Sequence, residues 1–273
     1  MSAGRSLSER VSLPWARGRL RRPPVALVVP TLAVVGSELA LFYGQIELAL
    51  AGHLLTLLGC VLVPLRFRNL LSLLHPFALL PLFRLINLGM PTFVELTLYF
   101  FPFVYVPMLP AIYLLKRSHG IQFGTNPKAF VLLVVPVLAI AALSGWVEYL
   151  IITPEALIPA WSTEQLLLLV AVQVGLVGLV EETIFRGILQ RRMGEYVGRW
   201  GGVLFASALF GAMHSIYGSG PEVAFAVSLG LVFGAVYEWT NSLSLVTVFH
   251  GVLNVFLFGV YPIHGLPTAL LPV

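Results

Sequence analysis

Residues 166–192, LLLLVAVQVGLVGLVEETIFRGILQRR, are the stretch of sequence that decides the fold. The part from Leu166 to Val180 has the continuous apolarity of a membrane-spanning helix. Glu181 and Glu182 end this run. Because a charged side chain at the centre of a bilayer costs about 2.5–3.5 kcal/mol, membrane helices seldom keep one without a function. The stretch therefore predicts a membrane helix that carries a functional site.

The composition of the chain agrees with this interpretation. Of the 273 residues, 58% are hydrophobic and 10% are charged, whereas soluble domains carry about 25% charged residues. The net charge of +4 does not indicate binding to nucleic acid, because the basic residues flank hydrophobic runs, where they set membrane topology. The chain contains no aspartate, so a catalytic carboxylate has to come from glutamate. Its single cysteine, Cys60, cannot form an intramolecular disulfide. We therefore expect an integral membrane protein whose partners include the lipid bilayer and not nucleic acid.

Nine apolar stretches are long enough to cross a bilayer, which needs roughly 20 helical residues. They are 25–43, 47–64, 70–87, 92–115, 128–151, 165–190, 200–216, 221–239 and 243–262. The arginine-rich N-terminal tail places the N-terminus in the cytoplasm, and with nine spans every basic residue except Arg84 falls on or near that side. Omitting the third span, the weakest, leaves eight helices but moves the basic cluster at 116–128 to the outside. The predicted fold is an all-α polytopic membrane helix bundle of about nine transmembrane helices, with eight as the alternative.

The distribution of polar residues divides the chain into five parts. They are a basic cytoplasmic tail (1–24), N-terminal transmembrane helices of unassigned role (25–115), a cytoplasmic loop (116–127), a helix bundle with the clustered polar residues (128–262) and a C-terminal tail (263–273). The first helix follows a charged segment without a convincing cleavage site, so we expect an uncleaved signal anchor. In the fourth part, small residues at four-residue spacing, Ala171/Gly175 and Gly230/Gly234, predict close contacts between helices.

Four polar residues of the fourth part are predicted to lie at one depth in the membrane. The helices that carry Glu181 and His214 form an antiparallel hairpin, and both residues lie roughly 16 Å from its turn. His250 lies roughly 12 Å into the last helix, and Asn254 shares its helical face because the two are four residues apart. Phe210 and His214 share a face for the same reason. Carboxylate, imidazole and amide groups can therefore converge on one small polar volume, slightly cytoplasmic of the midplane.

Most of these residues also have a structural interpretation. Glu182 and Arg186 are four residues apart in the favourable order and are predicted to form an ion pair that hides both charges. His214 could cap the end of its helix, and His250 and Asn254 could form hydrogen bonds between helices. The remaining histidines have no polar companions and are expected to be structural or interfacial: His53, His75, His119 and His264.

Three motifs together resemble the CPBP family of intramembrane proteases. This family includes the type II CaaX prenyl endopeptidases and the Abi proteins of bacteriocin processing and immunity. The motifs are Glu181-Glu182-x-x-x-Arg186, Phe210-x-x-x-His214 and His250-x-x-x-Asn254, in family order and without a mismatch at the defining positions. The resemblance covers about residues 128–262 and implies a peptide or protein substrate at the membrane. We expect a multi-pass protein of the cell membrane of a prokaryote.

The resemblance also implies a role for each matching residue. Glu181, which has no charged partner along its own helix, would act as general base on a water molecule that His214 holds or polarises. His250 and Asn254 would stabilise the oxyanion of the tetrahedral intermediate. The supporting residues would be Glu182, Arg186 and Phe210.

The metal requirement stays open in the sequence, although members of the family are often described as metalloproteases. Glu181, His214 and His250 could form an open zinc site that lowers the pKa of a bound water toward ~7. Alternatively, a buried glutamate next to histidine could serve directly as the base. Because the chain has no His-Glu-x-x-His pattern, we prefer the metal-free route slightly.

Other function classes fit the sequence less well. A non-catalytic bacteriocin-immunity or binding protein could use the same polar cavity without hydrolysis. A transporter is disfavoured because no inverted repeat is evident. An aspartyl protease would need aspartates, and the serine-protease-like Gly218-Ser219-Gly220 lies in a predicted outer turn, far from His250 in depth. The predicted function is therefore an intramembrane endopeptidase, of CaaX-type or peptide- and bacteriocin-processing specificity.

Overall fold

The computed structural model of the protein describes residues 25–90 and 97–264, and within these ranges it contains helices and no β-strand. The predicted all-α fold is confirmed. The predicted tail 1–24 and most of the predicted tail 263–273 lie outside the described residues. The α-helices are α1 (Val28–Phe42), α2 (Ile46–Arg66), α3 (Leu71–Phe77), α4 (Leu79–Gly89), α5 (Phe100–Tyr105), α6 (Met108–His119), α7 (Pro127–Ile152), α8 (Thr163–Val172), α9 (Leu179–Glu182), α10 (Arg191–Val197), α11 (Arg199–Ala212), α12 (Gly220–Thr240), α13 (Leu243–Val255) and α14 (Tyr261–His264).

Seven of the nine predicted spans coincide with helical segments of the described chain that are long and apolar enough to cross a membrane. They are Val25–Phe42, Ile46–Arg66, Arg68–Gly89, Pro127–Ile152, Thr163–Val197, Gly220–Thr240 and Leu243–His264. The stretch 200–216 corresponds to α11, a helix of 14 residues. The stretch 92–115 is described only in part, as α5 and α6, which separate next to Pro107, a residue that cannot donate a helical hydrogen bond. The multi-pass bundle is thus confirmed, and the count of nine stays a prediction.

The segment with the paired glutamates is one continuous helix, Thr163–Val197, with an unusual interior. It begins after Ser162, whose Oγ accepts a hydrogen bond from the backbone N–H of Gln165 at 3.2 Å. Two π-helical stretches, Gln173–Gly178 and Thr183–Gln190, flank the short helix α9. Insertions of π-helix into α-helices are rare and frequently lie at functional sites. Both glutamates therefore lie on the single α-helical turn between two such stretches.

Helices α1 to α6 form the first half of the molecule, and α7 to α14 form the second half. Helix α13 lies at the centre of the second half, where it contacts α7, α9, α12 and the π-helical stretch Gln173–Gly178. Glycines allow the backbones to approach closely. A Cβ added at Gly251 would come within 2.5 Å of the Val174 Cα, and one at Gly178 would come within 2.7 Å of the Thr247 carbonyl oxygen. A larger residue at either position would separate the two helices. This contact brings α13 and its histidine against the helix that carries the glutamates.

One of the two predicted small-residue pairs is a helix contact and the other is not. A Cβ at Gly230 would lie 3.0 Å from the Ser207 Cα of α11, and Gly234 lies similarly close to a neighbouring side chain, so this pair is confirmed. The prediction for Ala171 and Gly175 is wrong: both are exposed, and nothing lies within 4 Å of the position of a Cβ at Gly175. That face of the helix points away from its neighbours, where lipid would surround it.

The loop between α6 and α7 closes one end of the second half. Arg192 donates a hydrogen bond to the His119 carbonyl oxygen at 3.0 Å. The backbone N–H of Leu243, at the start of α13, donates to the Gly124 carbonyl oxygen at 3.0 Å. The basic residues of this loop and those of the turn before α11 therefore lie at the same end of the bundle, as the predicted topology requires.

In the first half, a buried ion pair explains why Arg84 did not fit the predicted topology. Arg84 is 2% exposed and donates to both carboxylate oxygens of Glu38, at 2.7 and 2.9 Å. Nε2 of His53 lies 3.3 Å from Glu38, and the Ser215 hydroxyl also donates to this carboxylate. Arg84 also donates a hydrogen bond to the Met213 carbonyl oxygen. An arginine neutralised inside the bundle does not report on sidedness, and this pair fastens α1, α2 and α4 to the turn after α11.

Candidate active site

The four predicted catalytic side chains line one small cavity in the second half of the bundle. The cavity has a volume of about 80 Å³, which is room for a few water molecules. Its walls include Glu181, His214, His250 and Asn254. The helices that carry these residues do converge, and the catalytic role of each residue stays a prediction.

Glu182 joins two of these helices. Its Oε1 accepts a hydrogen bond from the Arg186 guanidinium at 3.1 Å and contacts Nδ1 of His250 at 2.8 Å. Both Glu182 and Arg186 are 0% exposed, so their ion pair along the helix is shielded from lipid. Arg186 also donates to the Gly230 carbonyl oxygen at 3.2 Å. Glu182 therefore fixes the ring of His250 in addition to pairing with Arg186.

Hydrogen bonds determine which nitrogen of each histidine is left for the cavity. Nδ1 of His214 lies 2.8 Å from the Phe210 carbonyl oxygen. Because a carbonyl can only accept, Nδ1 carries the proton and Nε2 is the acceptor of the neutral ring. This bond also caps the end of α11, so the structural and the functional interpretation of His214 are compatible. In His250, Nδ1 faces Glu182 and Nε2 lies 4.0 Å from Oε2 of Glu181.

Two phenylalanines hold the polar side chains of the site in place. The ring centroid of Phe210 lies 4.7 Å from that of His214 and 5.8 Å from that of His250. The guanidinium carbon of Arg186 lies 4.5 Å from the centroid of the same ring, a cation–π contact that is strongest where water is excluded. Phe233 stacks on His250 at 5.4 Å. Phe210 thus contacts three of the predicted site residues.

Tyr105 is a site residue that the sequence did not reveal. It lies on α5, in the first half of the chain, and is 5% exposed. Its hydroxyl donates a hydrogen bond to Oε1 of Glu181, and its ring packs edge-on against Phe83 at 5.2 Å. The two partners are 76 residues apart in the sequence, so no local pattern links them. The helices of residues 25–115, whose role was unassigned, therefore contribute to the site.

Three further residues of the site were also missed. Gln173 is buried, and its Oε1 accepts a hydrogen bond from Nδ2 of Asn254 at 3.2 Å. Glu148 of α7 and Tyr217, in the turn before α12, line the cavity. For Glu148 a signal was available, since an acid inside an apolar run is rare in membrane helices.

The remaining histidines lie away from the cavity. The rings of His75 and His119 contact each other edge-on at 5.8 Å, and His264 packs against Trp161 at 4.8 Å. Partial burial, reinforced by the charges of Arg192 and His75, lowers the pKa of His119. This ring is therefore neutral at pH 7, in agreement with a structural role at the end of α6.

The fit of a metal ion was tested against the same side chains. Within residues 25–90 and 97–264, no three His, Cys, Asp or Glu side chains are arranged to hold a metal ion. In the predicted ligand set of Glu181, His214 and His250, one carboxylate oxygen of Glu181 is bound to Tyr105. The side chains as they stand do not form a three-ligand metal site.

The comparison with protein families agrees with the fold and the site. The described helices form an all-α membrane bundle with glutamate, histidine and amide groups around an internal cavity. Residues 163–256 match the family model described as type II CAAX prenyl endopeptidase Rce1-like, and the matched residues contain all three motifs. The match supports the resemblance of these residues to the CPBP/CAAX protease family. No curated protein and no solved structure matches the chain.

Proposed function

We propose that the protein is an intramembrane endopeptidase that hydrolyses peptide bonds of membrane-associated substrates, with CAAX-type substrates as the leading class. The observation that carries the proposal is the environment of Glu181. One of its carboxylate oxygens is held by Tyr105, while the other faces His250 across 4.0 Å. The carboxylate lies on a cavity large enough for water, which it shares with His214 and Asn254. A fixed carboxylate beside water and two imidazoles is suited to general-base hydrolysis.

The reaction begins with a water molecule between Glu181 and His214. Glu181 takes one proton of this water, and the oxygen bonds to the scissile carbonyl carbon, whose own oxygen becomes the oxyanion. Nε2 of His214, an acceptor in the neutral ring, orients the water by accepting its second hydrogen. When the carbon–nitrogen bond breaks, Glu181 returns the proton to the leaving amine.

His250 and Asn254 face the same cavity as donors to the oxyanion. Asn254 carries two N–H donors, of which Gln173 accepts one at 3.2 Å, so the amide retains one for the substrate. Nδ1 of His250 is bound to Glu182. This contact fixes the orientation of the ring, whose Nε2 lies 4.0 Å from Oε2 of Glu181. Glu182 is thus assigned the task of holding the His250 ring at the cavity.

A glutamate mechanism without a metal ion is the route we propose for this chemistry. It predicts that purified protein binds no stoichiometric zinc and keeps its turnover after treatment with a chelator. Metal analysis and activity of the same preparation measure both quantities. Stoichiometric zinc together with loss of turnover on chelation, restored by zinc, would replace this route by a metal-dependent one.

The Glu181→Gln variant tests the proposed function. We expect at least a hundredfold loss of turnover on a prenylated CAAX peptide in detergent micelles, because general-base catalysis contributes about 10²–10⁴-fold. Mass spectrometry of membrane proteins and peptides from cells with either form identifies natural substrates as species that accumulate uncleaved in the variant. Glu164→Gln is the control, since Glu164 is an exposed residue at the start of α8. Retained turnover in Glu181→Gln would remove the proposal. A biological function that survives Glu181→Gln, with no cleavage by either form, would favour a non-catalytic immunity or binding protein.

A further inference from the structure

Glu148 is a buried carboxyl group that the proposed reaction does not use. It lies on α7, is 6% exposed and lines the same cavity as Glu181. Its Oε2 is buried and has no hydrogen-bond partner among the described residues. Nor does it form an ion pair with any lysine or arginine in the described part of the chain. The cavity is therefore lined by a carboxyl group that receives no hydrogen bond from the described part of the protein.

Glu222 interacts electrostatically with Glu148, and its carboxyl group also lacks hydrogen-bond partners among the described residues. It lies in the first turn of α12 and is 0% exposed, and both of its carboxyl oxygens lack a hydrogen-bond partner within the described residues. The two carboxyl groups are close enough to interact electrostatically, and Glu148 interacts in this way with Glu181 as well. Glu148 and Glu222 together thus have three buried carboxyl oxygens without a donor among the described residues.

Buried carboxyl oxygens without hydrogen bonds lower the stability of the fold unless a bound ligand supplies the missing donors. About 90% of buried polar groups have a hydrogen-bond partner, and those that do not need an explanation. The protein can satisfy buried acids where it needs to, because both oxygens of Glu38 are paired with Arg84. An ammonium group offers three donors and a positive charge in a compact volume. It suits a cavity of about 80 Å³ better than a whole guanidinium side chain does.

We propose that Glu148, backed by Glu222, forms a subsite that binds the ammonium group of a lysine side chain in the peptide substrate. This inference rests on the proposed function, since it places a substrate in the cavity. The apolar residues of the same cavity provide a surface for the methylene groups of that lysine; they include Phe101, Leu229 and Phe258. The subsite selects which peptides are cleaved and takes no part in the bond-breaking step.

Matched peptides that differ only in one charge test the subsite by cleavage. Lysine or acetyl-lysine is placed in turn at each position flanking the scissile bond of an internally quenched prenylated CAAX peptide. At one position we expect the wild-type protein to cleave the lysine peptide at least about tenfold faster in kcat/KM, since a hydrogen bond to a charged group contributes about 1.5–3 kcal/mol. In Glu148→Gln the ratio falls toward one, while Glu164→Gln keeps the wild-type ratio. Equal rates at every position in the wild type, or an unchanged ratio in Glu148→Gln, would overturn the proposal.

A binding measurement separates the failure of this inference from the failure of the proposed function. Fluorescence anisotropy of the labelled peptide pair is recorded with the Glu181→Gln protein and with the Glu148→Gln/Glu181→Gln double variant, neither of which has the proposed base. A lysine preference that disappears in the double variant supports the subsite even where no cleavage is detected. If the two proteins bind both peptides equally, the subsite is wrong.

Discussion

The two halves of the molecule each contain a buried charged cluster, and the clusters differ in how completely they are paired. In the first half, both oxygens of Glu38 contact Arg84, one of them also contacts His53, and the other accepts from Ser215. In the second half, Glu181 has one oxygen bound to Tyr105, while its other oxygen is 4.0 Å from the nearest imidazole nitrogen.

This difference separates a structural cluster from a site that can do chemistry. A buried carboxylate whose hydrogen-bonding positions are all filled by the protein has none left for a substrate. A carboxylate beside a cavity has an oxygen available for water, at a cost in stability that the surrounding fold has to offset. The first cluster therefore holds helices together. In the second, one carboxylate oxygen of Glu181 stays available for water, as the proposed function requires.

Arg84→Met should produce the largest change in stability and breaks the first cluster. Removing one partner of a buried ion pair leaves an uncompensated charge, which costs about 3–5 kcal/mol. We expect a corresponding loss in the free energy of unfolding in detergent, measured by thermal or denaturant unfolding. The double variant Glu38→Leu/Arg84→Met should recover most of this loss, because it removes both charges. If the single variant is as stable as the wild type, the cluster is not what fastens the first half to the second.

Glu182→Gln should produce the next largest effect, on turnover. The substitution keeps the shape of the side chain but removes the charge that pairs with Arg186 and that holds Nδ1 of His250 at 2.8 Å. We expect about a hundredfold lower kcat, equivalent to ~2.7 kcal/mol, with a smaller change in KM. Glu195→Gln is the matched control, because Glu195 pairs with Arg192 at 3.2 Å in a partly exposed position, where such pairs contribute little. An equal loss in both variants would show a general effect of glutamate replacement.

The same comparison explains how much could be predicted from the sequence. The membrane bundle follows from the apolar runs, since a helix of roughly 20 apolar residues has the length and composition to span a bilayer. In the second half, Glu181 was predicted because it ends an apolar run, and three pairs were predicted because residues four apart on one helix face the same side; the pairs are Glu182/Arg186, Phe210/His214 and His250/Asn254. Their matching depths grouped them into one site, and the family resemblance then gave each residue a role.

Contacts between distant helices could not be predicted in this way. Glu38 and Arg84 are 46 residues apart, and Tyr105 and Glu181 are 76 apart. None of these residues has its partner on its own helix, so the partner depends on how the helices pack, which periodicity does not encode. The wrong expectation for Gly175 has the same origin, because its spacing is compatible with a helix contact but its face has no helix beside it.

Tyr105→Phe should lower turnover by about tenfold and tests whether the first half positions the base. The lost hydroxyl donor leaves Oε1 of Glu181 without its hydrogen bond, which is worth ~1.4 kcal/mol at the catalytic step. Tyr261→Phe is the matched control: its buried hydroxyl donates to the Ala142 carbonyl oxygen at 2.7 Å, outside the cavity. A loss of stability in Tyr105→Phe without a loss of kcat would make Tyr105 a packing residue only.

Gln173→Met should have the smallest effect on kcat. It tests a residue of the second half whose hydrogen bonds are only partly formed. Gln173 accepts one hydrogen bond from Asn254, while its own Nε2 is buried without a partner in the described chain. Methionine removes that unpaired donor, so we expect stability to be maintained. Asn254 loses the contact that keeps its N–H groups directed into the cavity, and kcat should fall about threefold to fivefold, or ~0.7–1 kcal/mol. Gln190→Met is the control, because Gln190 bonds to the Gly234 carbonyl oxygen at 3.1 Å on the same helix, away from the cavity. Lower stability with unchanged kcat would show that Gln173 has a structural role only. Replacing a residue that positions a donor to the oxyanion should lower kcat.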